Sequence, residues 1–214
     1  MPLAVDTLSL GSIGTNCYLV RSDLTATDAA VIDPGAEADR ILAALDGAGA
    51  RCAAILLTHS HYDHIGALAE LAAATGAPVW LPRIEEDVFA RPDAYYGMFG
   101  VSIPAFAGPS TLLAGGETIE AAGISFQVTH VPGHSPGHVA YYAEGALFSG
   151  DVLFAGSVGR TDLPGGDWAT LLASIRSLAD GHPPETVVYS GHGPATTLGA
   201  ELSRNPFLAE IRVS

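Results

Sequence analysis

A chain of 214 residues, 48% apolar and 15% charged, carries enough hydrophobic material for a packed core and is expected to form one domain over 1–214. Its formal net charge is −14 and all nine basic residues are arginines, which opposes binding to nucleic acid or to an anionic membrane surface. With no lysine, Schiff-base chemistry is excluded.

In chain order, strand patterns are read over residues 4–10, 16–21 and 29–33, the last closed by Pro34-Gly35. Residues 37–45 have helical spacing, with Ile41, Leu42 and Leu45 apolar and Gly47 at the end. The run 52–58 suits a fully buried strand. Residues 63–74 read as one helix, with Ile65, Leu68 and Leu71 on one face and Gly76 past its end. The stretch 82–116 is the least regular, placing Tyr95, Tyr96, Met98, Phe99 and Phe106 among several Gly and Pro; a lid or substrate wall and a packed surface loop are equal readings.

Strand patterns resume over 118–129, 139–143 and 146–149. A helix follows over 168–178 with Asp167 as its N-cap, and 186–190 is a last buried strand. This order predicts two sheets with helices outside them. Cys17 and Cys52 fall in strands and read as small buried hydrophobes. No apolar run is long enough to span a bilayer, and residues 1–6 lack the features of a secretory leader, so a cytoplasmic location is expected.

The strongest chemical signal is Thr58-His59-Ser60-His61-Tyr62-Asp63-His64, between a buried strand and a helix. Imidazole and carboxylate bind zinc, iron or manganese without thiolate. His59 and His61, two apart in an extended segment, can face one side and grip one ion, while Asp63 and His64 turn toward a second position. His134, Asp151 and His192 each follow a predicted strand and enter a turn, where sites gather on rigid scaffolds. Singly each is weak; together they are specific. His130 and His138 are read as supports for the His134 loop, and His182 as an exposed residue.

The run His59 to His64 resembles the H-x-H-x-D-H motif of the metallo-β-lactamase superfamily, and His134, Asp151 and His192 fall in the order of its remaining ligands. Gly14-Thr15-Asn16-Cys17-Tyr18-Leu19 and Asp33-Pro34-Gly35 also look like family segments. The resemblance implies an α+β fold, a four-layer αβ/βα sandwich of two mixed β-sheets flanked by helices, with metals at one edge. Gly159-Arg160-Thr161-Asp162-Leu163-Pro164-Gly165-Gly166-Asp167, Ser190-Gly191-His192-Gly193-Pro194 and Arg204-Asn205-Pro206-Phe207 resemble the glyoxalase II-like branch, in its short form without a C-terminal helical domain. By position, the resemblance implies that His59, His61 and His134 hold one ion, that Asp63, His64 and His192 hold the second, and that Asp151 bridges.

That implies two divalent ions, zinc first with iron or manganese as alternatives, and a hydrolase acting on S-lactoylglutathione or a related hydroxyacyl thioester. Asp63 is expected to orient the attacking water as well as to bind metal. Arg160 is a candidate carboxylate anchor, against which stands an internal ion pair with Asp162. The competing activity is a persulfide dioxygenase using one iron on His59, His134 and Asp151; lactone hydrolysis is a further alternative. The partner expected is a small-molecule thioester, and a homo-oligomer is left open.

Overall fold

The computed structural model describes residues 2–209. The first half builds a six-stranded sheet in the order β1 (Ala4–Leu10), β2 (Thr15–Arg21), β3 (Asp28–Ile32), β4 (Arg51–Leu56), β5 (Val79–Pro82) and β6 (Ser110–Leu113). β2 runs antiparallel to both β1 and β3, and β3 to β6 are parallel neighbours. Between these strands lie α1 (Ala38–Gly47), α2 (Tyr62–Ile65), α3 (Leu68–Thr75), α4 (Glu86–Ala90) and α5 (Pro92–Tyr96).

The second half supplies β7 (Thr118–Ala121), β8 (Ile124–His130), β9 (Val139–Ala143), β10 (Ala146–Gly150), the small hairpin β11 (Leu153–Phe154) and β12 (Ser157–Val158), α6 (Trp168–Gly181), β13 (Val187–Ser190), β14 (Thr196–Thr197) and α7 (Leu198–Arg204). Its six-stranded sheet has the order β14-β13-β10-β9-β8-β7, with β10 and β13 parallel and the other pairs antiparallel. Both sheets are therefore mixed.

The layering follows from the two-residue period of a strand. On β2, Cys17 and Leu19 pack with Ile41 and Leu45 of α1 and Leu68 and Leu71 of α3, whereas Tyr18 and Val20 point the other way. On β3, Val31 and Ile32 divide between the same two cores. The second sheet repeats the pattern: Tyr141 and Phe148 join Tyr18 and Ile32 between the sheets, while Ala140 and Leu147 pack on Leu171 and Ile175 of α6. Strands buried on both faces read as continuous apolar runs. Helix, sheet, sheet, helix is the α+β sandwich expected from the resemblance.

Several elements differ from the sequence reading. The helix expected over 63–74 is broken into α2 and α3, because a side chain at Gly66 would strike the Gly35 carbonyl and Ala67 turns its N–H onto Pro34 O at 2.9 Å. The Pro34-Gly35 turn is thus pressed into the middle of that segment. Residues 118–129 form a hairpin turning at Ala122-Gly123, and β5, β6, β14 and α7 lie where no regular element was expected. α6 starts as predicted, Asp167 accepting Thr170 N–H at 2.8 Å. His182 is half-buried rather than exposed, its ring stacked on Tyr142 at 4.1 Å. Cys17 and Cys52 are buried free thiols.

The sheets are joined at one edge by hydrogen bonds that run in both directions between them. Val139 N–H donates to Thr58 O at 2.8 Å, Tyr141 OH to Leu57 O at 2.7 Å, and Asn16 N–H to Gly191 O at 2.7 Å. The loops after β4, β8, β10 and β13 all leave from this edge, and they carry the histidines and aspartates singled out above.

Candidate metal centre

His59, His61, Asp63, His64, His134, Asp151 and His192 are brought together at that edge. His134 Nε2 lies 2.8 Å from His61 Nδ1, and His59, His61 and His134 form one set of converging ligand atoms. Asp63, His64 and His192 form another: Asp63 Oδ2 is 3.4 Å from His64 Nε2 and 3.3 Å from His192 Nε2. Asp151 stands between the sets, Oδ1 at 3.3 Å from His64 Nε2, and Oδ2 at 3.5 Å from His134 Nε2 and 3.6 Å from His192 Nε2. Ligands about 2.0–2.1 Å from a tetrahedral ion are about 3.4 Å apart, which the spacings around Asp63 and Asp151 match, whereas His61 and His134 stand closer, at hydrogen-bond distance.

The imidazoles on the buried side have their tautomers fixed by hydrogen bonds from the protein. Thr58 OH donates to Asp33 Oδ2 at 2.6 Å, so its oxygen is left to accept from His59 Nδ1 at 3.0 Å. His64 Nδ1 donates to Asp33 Oδ2 at 2.9 Å, and His134 Nδ1 donates to Arg160 O at 2.8 Å. Each ring thereby turns its Nε2 to the common space, the arrangement by which supporting groups orient metal-ligating histidines. His59 Nε2, His64 Nε2 and Asp151 Oδ1 are buried and have no hydrogen-bond partner. Buried polar atoms without partners are costly, and a cation that displaced the His64 proton would meet all three, so the donor set fits a metal centre.

Electrostatics separate the two sets. Burial, with His64 and His138 close by, holds His59 well below the usual imidazole range, and burial beside His134 takes His61 down to about 3. Both rings are held neutral, the form in which imidazole binds metal. In the other set, burial opposes charge on His64 but the carboxylates of Asp151 and Asp33 outweigh it and hold the ring well above its ordinary value. Hydrogen bonds to Asp151 and Asp63 raise His192 to about 9. Burial acts against ionised Asp63 too, yet His192, His64 and Thr15 bring it down to about 2. These carboxylates demand positive charge, which a divalent ion supplies in place of protons.

Close packing leaves no slack. A side chain on Gly191 would collide with the Asp151 carboxylate and the His64 ring, so the residue before His192 can only be glycine. Asp33 adopts φ 52°, a strained value for a non-glycine residue, and its carboxylate also accepts Thr58 N–H at 2.7 Å. His138 is fully buried, stacked on His59 with ring centres 4.6 Å apart, its Nε2 accepting Asp151 N–H at 3.1 Å. His130 donates from Nε2 to Pro136 O at 2.9 Å, within the same loop.

Arg160 does not point into the centre. Its guanidinium makes two 2.6 Å bonds to Asp162 at the surface, and its contribution is the backbone carbonyl under His134. Sequence reasoning gave no individual role to Asp33 or to Thr15, whose hydroxyl donates to Asp63 Oδ2 at 2.7 Å, although both stand in segments noted for their likeness to the family. It missed Glu85 altogether.

Two sheets inside helices, with a histidine–aspartate cluster where their loops meet, define a metal-binding hydrolase class. The Metallo-beta-lactamase superfamily model matches residues 10–192, and the chain belongs to that superfamily. It is 35% identical over 209 residues to the hydroxyacylglutathione hydrolase GloC of Haemophilus influenzae, covering 95% of this chain and 97% of that one. Among solved structures it is similar to the BLEG-1 B3 metallo-beta-lactamase, with TM-score 0.89 and 41% identity over 96% of this chain and 100% of that one. It is similar also to TTHA1623 in a di-iron-bound form, with TM-score 0.84 and 44% identity over 95% and 100% of the two chains.

Proposed function

We propose that this chain is a cytoplasmic, metal-dependent thioester hydrolase that cleaves S-lactoylglutathione or a related hydroxyacyl thioester. His59, His61 and His134 would hold one divalent ion, and Asp63, His64 and His192 the second. The observation that carries the reading is Asp151, whose Oδ2 lies between His134 of one set and His192 of the other while Oδ1 faces His64, so that one carboxylate is placed to serve both ions. When bound, the ions supply a water acidified from about 15.7 to about 7 and positive charge for the carbonyl oxygen under attack. Zinc suits these donors, and the di-iron neighbour supports iron as the alternative.

The chain's own groups do the rest. Asp63, anchored by Thr15 and ionised, accepts a hydrogen bond from the attacking water and orients it. The partly exposed His192 marks the side from which substrate enters, and Phe154 meets its ring edge-on at 6.0 Å, giving that entrance an apolar wall. A thiol of pKa about 8.5 leaves as thiolate without being protonated, so a thioester needs no dedicated general acid. An ester or amide does. The relative named as a hydroxyacylglutathione hydrolase supports the same substrate class. A β-lactam is the second substrate to assay, since the similar BLEG-1 structure is described as a B3 metallo-beta-lactamase.

The test is metal content per chain on protein as purified, paired with turnover of S-lactoylglutathione, nitrocefin and glutathione persulfide. Two ions per chain and preferred thioester hydrolysis are expected. One iron with oxygen uptake on the persulfide replaces hydrolysis with dioxygenation, and faster nitrocefin cleavage moves the substrate to a β-lactam.

A further inference from the structure

The stretch 82–116, unassigned on sequence, sends one charged side chain inward. Glu85 ends a 3-10 turn (Arg83–Glu85) after β5 and is only 5% exposed. Its Oε2 accepts Ser60 N–H at 2.7 Å, and its Oε1 accepts Gly137 N–H at 2.8 Å. Ser60 lies between His59 and His61, and Gly137 lies in the loop that carries His134. One buried carboxylate therefore ties the two loops that supply all the imidazoles of one ligand set. Among the described residues no cation pairs with it, so its acceptors are committed to these backbone groups.

The same stretch grips Ser60 from its other side. Tyr96, at the end of α5, donates its hydroxyl to Ser60 O at 2.9 Å. The residue linking His59 to His61 is thus held by its N–H and by its C=O, both from outside its own loop. Gly137 fits against Glu85 so closely that a Cβ there would lie 2.7 Å from Glu85 Cγ. By contrast, Asp63, His64 and His192 receive their support from Thr15, Asp33 and each other.

We propose that Glu85 is a positioning residue for the His59/His61/His134 ion alone, acting by clamping the Ser60 and Gly137 peptides, with Tyr96 completing the clamp. The proposal rests on the metal reading of the cluster but not on the choice of substrate. Carboxylate is required because both of its oxygens must accept. In Glu85→Gln one oxygen becomes an NH₂ group that faces an N–H, and one side of the clamp opens.

The test uses the full chain loaded with Zn²⁺ and mixed with a chromogenic chelator, following zinc release in time. The His192→Ala variant identifies the release phase of the other ion. Glu85→Gln is expected to speed release from the His59/His61/His134 set by about 10–100-fold, the usual cost of losing an outer support, with the other phase unchanged. Tyr96→Phe, which removes one bond and little volume, is expected to speed the same phase by a smaller factor and serves alone if Glu85→Gln does not fold. Both phases faster by one common factor, or neither changed, overturns the proposal. Because zinc is read directly, a failure to hydrolyse thioesters leaves this result standing.

Discussion

His59 and His64, on the floor of the centre, and His61 and His192, at its rim, offer the same kind of nitrogen to the same space but are held by different means. The floor rings are fully buried and fixed through Nδ1 by Thr58 and Asp33, so their direction is set before any ion arrives. The rim rings contact the other ligands: His61 meets His134, and His192 meets Asp63 and Asp151. Half of this centre is thus part of the protein's core, and half lies at its surface, held through the other site residues. Damage to the floor should cost both fold and metal; damage to the rim should cost metal first and fold less.

The largest effect is expected from Asp33→Ala. It strands Thr58 N–H, Thr58 OH and His64 Nδ1–H in the core, at about 1–3 kcal/mol for each buried donor left unpaired. A urea melt of the metal-free protein should show the loss, together with empty sites by metal analysis; an unchanged midpoint removes Asp33 from the floor. Next is Gly191→Ala, whose methyl group displaces the Asp151 carboxylate and the His64 ring. Metal affinity should fall by about 100-fold, as when outer supports of a metal site are lost, and wild-type zinc titration would contradict this.

His192→Ala sharpens the contrast from the rim. Metal-free stability at pH 7 should fall, because the raised His192 balances the Asp63 and Asp151 carboxylates, but by less than in Asp33→Ala, while one ion per chain is lost. A loss of stability as large as that of Asp33→Ala erases the distinction between floor and rim. Arg160→Ala should be milder still: the backbone carbonyl under His134 stays, so metal content is unchanged. A raised KM for a carboxylate-bearing thioester would place the guanidinium on the substrate once it leaves Asp162. Smallest is the behaviour of the thiols. Burial raises Cys52 to about 11 and Cys17 well above the ordinary thiol value, which keeps both protonated at neutral pH. A disulfide reagent at pH 8 should label neither in the folded protein and both in urea.

Much of this arrangement was legible in the sequence, for reasons that can be traced to particular residues. The histidine-rich run after the apolar stretch 52–58 announced a ligand loop at a strand end, and Val187 to Ser190 before Gly191-His192 announced another. The order of strand and helix patterns carried the two-sheet reading, and β2 and β9 are covered on both faces as that layering requires. What was hidden depends on tertiary contact. The break between α2 and α3 comes from the Pro34-Gly35 turn, more than twenty residues upstream, and no local propensity records it. Glu85 stands beside Glu86 in an acidic run that reads as a solvated surface, whereas the fold buries one and leaves the other outside. Arg160 looked like an anchor because guanidinium suits carboxylates, and it found one two residues away.

The central claim is best tested by diffraction from crystals of the zinc-loaded protein, with data collected on both sides of the zinc absorption edge. Two anomalous peaks are expected, one among His59, His61 and His134 and one among Asp63, His64 and His192, with the Asp151 carboxylate between them. Peaks elsewhere, or density in which Asp151 turns away from both, would contradict it.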